Sequence, residues 1–220
     1  MLVIATGMRR EARILGRGGE VVISGGENSG LATKIEAAIS RGARGVISAG
    51  LCGGLTPGLA VGTAVIGSEV VWSTGRLRTD AAWRDALSAR IPDAICGVIA
   101  GTDAILIDTS AKAALYASTG AAAVDMESHI AAQTAHAHAL PFSVLRVVSD
   151  GAEHRLPPAA AGAIGRGGRI RIGAVLRSVA ADPMQVPELI RTARNAERAM
   201  AGLLRCLDLL GVGFACPYLG

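Results

Sequence analysis

From Gly45 to Ser68 the chain reads GVISAGLCGGLTPGLAVGTAVIGS without a charged residue. About 20 apolar residues suffice to cross a bilayer core, so the stretch raises the question of a membrane span. Pro57 and the glycines of GLCGGLTPG interrupt it, and the segment reads instead as two buried strands joined by a glycine loop. Strands that are apolar on both faces are stable where helices cover both sides of a sheet. The rest of the chain repeats this pattern. LVIAT, EVVIS, AICGVIAG, AAAV and FSVLRVVS are further strand candidates, and helical candidates lie between the strands near residues 9–15, 29–41, 80–89, 110–119 and 127–138. Asn28 or Ser29 stands where it can cap the second helix, and Thr109 or Ser110 the fourth. Such alternation predicts an α/β fold, a three-layer sandwich with a mixed central sheet flanked by helices.

After Asp150 the pattern changes. AEHRLPPAAAGAIGRGG is a Pro/Gly-rich loop, followed by IRIGAVLRSV and a long helix from about Pro187 to Leu210. In that helix Leu189, Ala193, Ala196, Met200, Leu203, Leu207 and Leu210 recur at spacings of four and three, which makes one apolar stripe. With 220 residues the chain is of a size for one core, so residues 151–220 are expected to form a C-terminal helical extension of a single domain spanning 1–220. Charge is uneven: residues 1–150 hold 13 Lys/Arg and 13 Asp/Glu, whereas 151–220 hold 9 and 5. A solvated helix face accounts for this excess, and so does contact with an anionic membrane surface. Nucleic acid is excluded as a partner, because the basic residues lack interleaved aromatics on which bases stack.

The four cysteines (Cys52, Cys96, Cys206, Cys216) form no Cys-x-x-Cys pair and read as reduced thiols of a cytoplasmic protein. The N-terminus MLVIATGMRREARIL is apolar first and basic second, the reverse of a signal peptide.

In open α/β sheets ligands bind beyond the carboxyl ends of the strands. The segments there are Met8–Glu11, AGLCGGLTPG, GTDAIL, DMES and Ser149-Asp150, and four of the five carry a carboxylate. Other motifs carry less. Gly25 to Gly30 has phosphate-loop spacing, but Leu31 stands where the lysine is required, so it reads as a turn and helix cap. No G-x-G-x-x-G joins a strand to a helix. His129, His136 and His138 lie on or beside one helix with no carboxylate at matching spacing, and read as packing or surface residues, with no metal site.

Taken in order, GMRREARIL, AGLCGGLTPGLAVGTAVI, GTDAIL, AVDMES and LPFSVLRVVSDGA resemble the nucleoside phosphorylase and nucleosidase superfamily, in particular the nucleosidases acting on methylthioadenosine and S-adenosylhomocysteine. MESHIAA, the RLPPAA loop and AVLRSV followed by a basic helix resemble more narrowly the hopanoid-associated phosphorylases, a subgroup linked to removal of adenine from adenosylhopane to leave ribosylhopane. The resemblance implies roles. Glu127 grips the ribose 2′- and 3′-hydroxyls, as suits an acceptor-only carboxylate facing a diol. Met126 packs on the sugar, and Asp125 is partly structural. Asp150 is the general acid at adenine N7, oriented by Ser149, and Glu11 activates the nucleophilic water. Ile105 and Leu106 cover the adenine, while Cys52 and Gly53 line the site.

Hydrolysis and phosphorolysis both stay open at this stage. Arg9, Arg10 and the amides of Gly50–Gly54 would suit phosphate as a co-substrate, whereas a carboxylate at Glu11 would repel that dianion, which favours water. No metal or organic cofactor is implied. The segment from Trp72 to Pro92 is short compared with the small-molecule nucleosidases, and an aliphatic residue, Ile105, stands where an aromatic often stacks on the base. Both departures point to a site open on the 5′ side, able to take a bulky apolar, lipid-linked substituent. The resemblance also implies a homodimer, with peripheral contact at the inner membrane face as a further expectation. Two alternatives stand beside this reading: an ordinary methylthioadenosine/S-adenosylhomocysteine nucleosidase, and a catalytically silent nucleoside-binding protein.

Overall fold

A computed structural model describes the chain from Met1 to Leu219 apart from residues 17–18, 25–29, 164 and 166–167. The apolar runs form one eight-stranded sheet. In it β1 (Val3–Thr6) lies between β2 (Glu20–Ile23) and β3 (Val46–Gly54), parallel to both. β3 pairs in parallel with β8 (Phe142–Asp150), which runs antiparallel to β4 (Ala64–Trp72). β4 is parallel to β6 (Ile95–Gly101), β6 is parallel to β7 (Ala123–Asp125), and β7 returns antiparallel to the far end of β3 at Gly53 and Gly54. The sheet is therefore mixed, and the pairings β3–β8–β4–β6–β7–β3 form a closed circuit. β5 (Gly75–Arg78) makes a hairpin with β4. The sequence reading missed it because GRLR is short and polar on its exposed face.

The uncharged run from Gly45 to Ser68 divides between β3 and β4, and among the described residues no helix is long and apolar enough to cross a membrane. Helices α1 (Arg9–Leu15), α2 (Leu31–Ile39), α3 (Ala81–Arg90), α4 (Thr109–Thr119) and α5 (Ser128–Ala137) fall where the periodicity puts them. Their caps differ from expectation. Gly30, at φ 88°, occupies the cap position of α2, and Asn28 and Ser29 lie outside the described residues. Asp108 occupies that of α4, so Thr109 and Ser110 are already inside the helix. Within the Pro/Gly-rich loop a short α6 (Pro158–Ala161) forms, with proline at its first position where no N–H is needed. α7 (Ile172–Ala181) and α8 (Val186–Leu210) complete the chain.

Alternation along the strands splits the core into two halves. Val3, Ala5, Val46, Val144 and Val148 pack with Leu31 and Ile35 of α2 and Ala131 and Ala135 of α5. Leu2, Ile4, Ile47, Leu145 and Val147 pack on the other side with Trp83 and Leu87 of α3 and Leu203 and Leu210 of α8. Gly202 lets α8 approach closely, since a Cβ there would meet the Gly62 carbonyl and Val147 at 3.0 Å.

The buried face of α8 is not the predicted stripe along its whole length. Met200, Leu203 and Leu210 are buried, joined by Asn195, Ala199, Gly202 and Cys206, but Ala193 is exposed and Leu189, Ala196 and Leu207 are only half-buried. A spacing that averages 3.5 drifts around a helix of 3.6 residues per turn, so the first half of the stripe turns off the sheet. Leu203→Ala should therefore cost roughly 2–5 kcal/mol, and Leu209→Ala, on the exposed side, less than about 0.5 kcal/mol, as measured by urea unfolding.

Candidate active site

β3 lies between β1 and β7 and also pairs with β8, so the turns that follow β1, β7 and β8 gather around its end. They line an open cleft with a cavity volume of about 200 Å³. Its lining includes all nine residues singled out from the sequence: Glu11, Cys52, Gly53, Ile105, Leu106, Met126, Glu127, Ser149 and Asp150. Asp103, the carboxylate of GTDAIL, is not among them; its side chain is exposed and contacts His129 Nε2 at 3.2 Å. His129 is buried, whereas His136 and His138 face solvent. Neither Arg9 nor Arg10 lines the cleft, and Arg10 instead pairs with Glu197 of α8 on the surface.

Glu11 occupies the third position of α1 and reaches back to the start of its own helix, as a capping glutamate does. Its Oε2 accepts from Thr6 Oγ1 at 2.7 Å, from the Gly7 amide at 3.1 Å and from the Met8 amide at 2.7 Å. Its Oε1 accepts from the Leu51 amide at 2.8 Å. One oxygen is thus crowded by three donors, and the other has acceptor capacity to spare. The site needs glycine at position 50, because a Cβ there would lie 2.7 Å from Glu11 Oε1 and 3.0 Å from Arg146 Nη1.

Asp125 caps α5: Oδ1 accepts from the amides of Glu127 at 3.0 Å and Ser128 at 2.8 Å, and Oδ2 accepts from the Ser128 hydroxyl. Beside it the fully buried Arg146 supplies the counter-charge, with Nε 2.7 Å from Asp125 Oδ2 in an ion pair rather than an aligned hydrogen bond. Arg146 Nη2 donates to Ser48 Oγ at 2.5 Å and stands 3.4 Å from Glu127 Oε2. Glu127 Oε1 accepts from Ser24 Oγ at 2.7 Å. Burial pushes the Glu127 carboxyl up to about 7, against the opposing pull of Arg146 and with help from the charges of Asp125 and Glu11.

At the other end of the cleft, Asp150 is held through both oxygens. Ser149 Oγ lies 2.9 Å from Oδ1 and 3.0 Å from the Cys52 carbonyl. That hydroxyl suits either protonation state: it can donate to a carboxylate, or donate to the carbonyl and accept from a carboxylic acid. Lys112 Nζ stands 2.5 Å from Oδ2. Burial pushes the Cys52 thiol well above its ordinary range, so its place in the lining is steric and not nucleophilic. Ile105, Leu106, Val124 and Met126 make an apolar wall, extended by Leu156 and by Thr192 and Ala196 of α8.

The sequence reading missed Lys112, Arg146, Ser24, Ser48 and the residues from the C-terminal third. Arg146 left a signal, a single charge inside FSVLRVVS on the same face as the core residues Val144 and Val148. Lys112 left a faint one: it is one of only two lysines in a chain whose 22 basic residues are otherwise arginine. The serines left none, since small polar residues in strands are common.

The family model described as the Phosphorylase superfamily matches residues 4–181. No curated protein matches the chain. Among solved structures, a Helicobacter pylori 5′-methylthioadenosine/S-adenosyl homocysteine nucleosidase is similar at 18% identity, with TM-score 0.65 over 94% of this chain and 97% of that one. An S-adenosylhomocysteine nucleosidase from Streptococcus pyogenes gives 18% and 0.65 over 96% and 97%, and the futalosine hydrolase of H. pylori 17% and 0.64 over 94% and 97%. At these identities the likeness is one of fold.

The raised Glu127 carboxyl has a consequence for stability. Between its ordinary value of 4.5 and about 7 the native state holds more protons than the unfolded chain, so stability falls as pH rises through that window. From about pH 5 to about pH 7.5 the unfolding free energy should drop by roughly 1–3 kcal/mol more in the wild type than in Glu127→Gln, which cannot ionise there; urea titrations at both pH values measure it.

Proposed function

The chain belongs to the phosphorylase superfamily, and from that premise we propose that it cleaves the N-glycosidic bond of a 5′-substituted adenosine and releases adenine. The observation that carries this reading is the convergence of Glu11, Glu127 and Asp150 on one cleft from three distant parts of the chain. Glu127, once ionised, accepts from both hydroxyls of the ribose, with Met126 against the ring. Asp150 gives a proton to N7 as the C1′–N9 bond breaks and its electron pair passes to the purine. Water adds its oxygen to C1′, and Glu11 Oε1 takes up the proton it sheds.

Three observations favour water over phosphate. The Leu51 amide already donates to Glu11, Arg9 and Arg10 stand outside the lining, and the two buried cations beside it are already engaged, Arg146 with Asp125 and Glu127 and Lys112 with Asp150. Phosphate as a co-substrate is therefore the second reading, and no other cofactor enters.

For the substrate we propose an adenosine with an apolar 5′ substituent, adenosylhopane yielding ribosylhopane being the instance to which the subgroup resemblance points. Support comes from the aliphatic wall and from its extension by Leu156 and Ala196. An ordinary methylthioadenosine/S-adenosylhomocysteine nucleosidase remains the alternative, and a homodimer is expected on the resemblance alone. Peripheral docking on a membrane belongs to the same reading. Ile172 and Leu176 of α7 and Met184 beyond it are 68%, 63% and 85% exposed, and Arg169, Arg171 and Arg177 stand among them.

Adenine release should proceed without phosphate, faster from a 5′-alkyl adenosine than from methylthioadenosine; the opposite ranking selects the ordinary nucleosidase. Asp150→Asn should lower kcat by about 10²–10⁴-fold. No release from any adenosine would leave only the silent binding protein. In vesicle co-sedimentation the protein should bind anionic bilayers and not zwitterionic ones, and Leu176→Asp should reduce the bound fraction by about tenfold, as expected for burying a charge in an apolar contact.

A further inference from the structure

Lys112 is the one buried residue of α4 and is 0% exposed. A lysine is almost never buried so completely without partners, because desolvating its ammonium is costly. Here the partners are three: Asp150 Oδ2 at 2.5 Å, the Gly151 carbonyl at 2.9 Å and the His154 carbonyl at 3.0 Å. Three acceptors match the three N–H donors of an ammonium, whereas a neutral amine has only two. The group is therefore a fixed cation, set behind the carboxyl that faces the cleft.

We infer that Lys112 is the positioning residue of the leaving-group acid, holding Asp150 through Oδ2 and stabilising the carboxylate left when its proton passes to the purine. This rests on Asp150 acting as the acid in the reading above. The balance is simple: an O–H bond of Asp150 breaks, an N7–H bond forms, the C1′–N9 pair leaves with adenine, and the negative charge stays on a carboxylate whose side chain is only 12% exposed. Without a cation that charge would stand buried and unpaired, the situation in which removing one partner of a pair is most damaging. Ser149 fixes Oδ1, so the plane of the carboxyl is set from both sides. A role confined to folding is the rival account, because Lys112 also ties the turn at Gly151 and His154 to α4.

The two accounts separate by leaving group. Adenine needs a proton to depart, whereas 4-nitrophenolate does not. The assay compares release of adenine from a 5′-substituted adenosine with release of nitrophenol from the matching 4-nitrophenyl riboside, in wild type, Lys112→Met, Lys112→Arg and Asp150→Asn. Lys112→Met should lower kcat for adenine by about 100-fold with KM changed less than about threefold, and leave nitrophenol release within about threefold, the same split as Asp150→Asn. Lys112→Arg, which keeps the charge, should recover at least about tenfold of the loss. Equal losses on both substrates, or no loss on adenine, overturn the inference. Should Lys112→Met not fold, as thermal unfolding will register, the comparison is made on Lys112→Gln, which retains two N–H donors for the carbonyls. If the wild type releases nitrophenol but not adenine, the assignment of Asp150 falls and Lys112 with it; if it releases neither, the nucleosidase reading falls first.

Discussion

The site depends on one buried cation. Arg146 sits at the centre of the sheet on β8 with no exposed surface, facing Asp125 and Glu127 and close to Glu11. Three carboxylates packed this closely would not stay ionised together without it, since a charge in a dry interior is tolerated only when paired and hydrogen-bonded. One arginine does not neutralise three acids: burial first, and then the charges of Asp125 and Glu11, push the Glu127 carboxyl up to about 7 against the pull of Arg146. Glu127 is therefore the acid whose charge is least firmly held, and a ligand that donates hydrogen bonds to it, as the proposed ribose diol would, favours its ionised form.

Around this cation the acids are fixed mainly by backbone. Glu11 is held by the amides of Gly7, Met8 and Leu51, and Asp125 by those of Glu127 and Ser128. Both acids stand at helix N-termini, α1 and α5, where unpaired N–H groups and the helix dipole favour negative charge. Strand order then matters: β1 and β7 flank β3, so the two helix starts converge across the end of that strand. Small residues along β3, glycine at 50 above all, leave room for the acid and the guanidinium between them.

The C-terminal third acts in two ways. α8 seals the lower core through Leu203 and Leu210, while its first half leaves the sheet and brings Thr192 and Ala196 to the cleft. The drift of the apolar stripe is thus what frees part of α8 to form wall. α7 has no fully buried residue: Val175 and Val179 are half-buried, while Ile172, Leu176 and Arg177 face outward.

Much of this was legible in order along the chain. Uninterrupted apolar runs forced a helix-covered sheet, and the acids after β1 and β8, both parallel to β3, share its carboxyl rim; β7 is antiparallel to β3 and brings its acids there only because it pairs with the far end of that strand. Glu11, Glu127 and Asp150 could be named on that basis together with the family resemblance. What only the tertiary structure decided was the balancing of charge. Lys112 and Arg146 act on acids 38 and 21 or fewer residues away in sequence, yet neither spacing carries a periodic signal, because the contacts run between separate elements. The same limit hid Asp103's turn to solvent and the entry of α8 into the cleft. A sequence records which residues an element presents; which of them are desolvated, and what must then neutralise them, is fixed only when the elements pack.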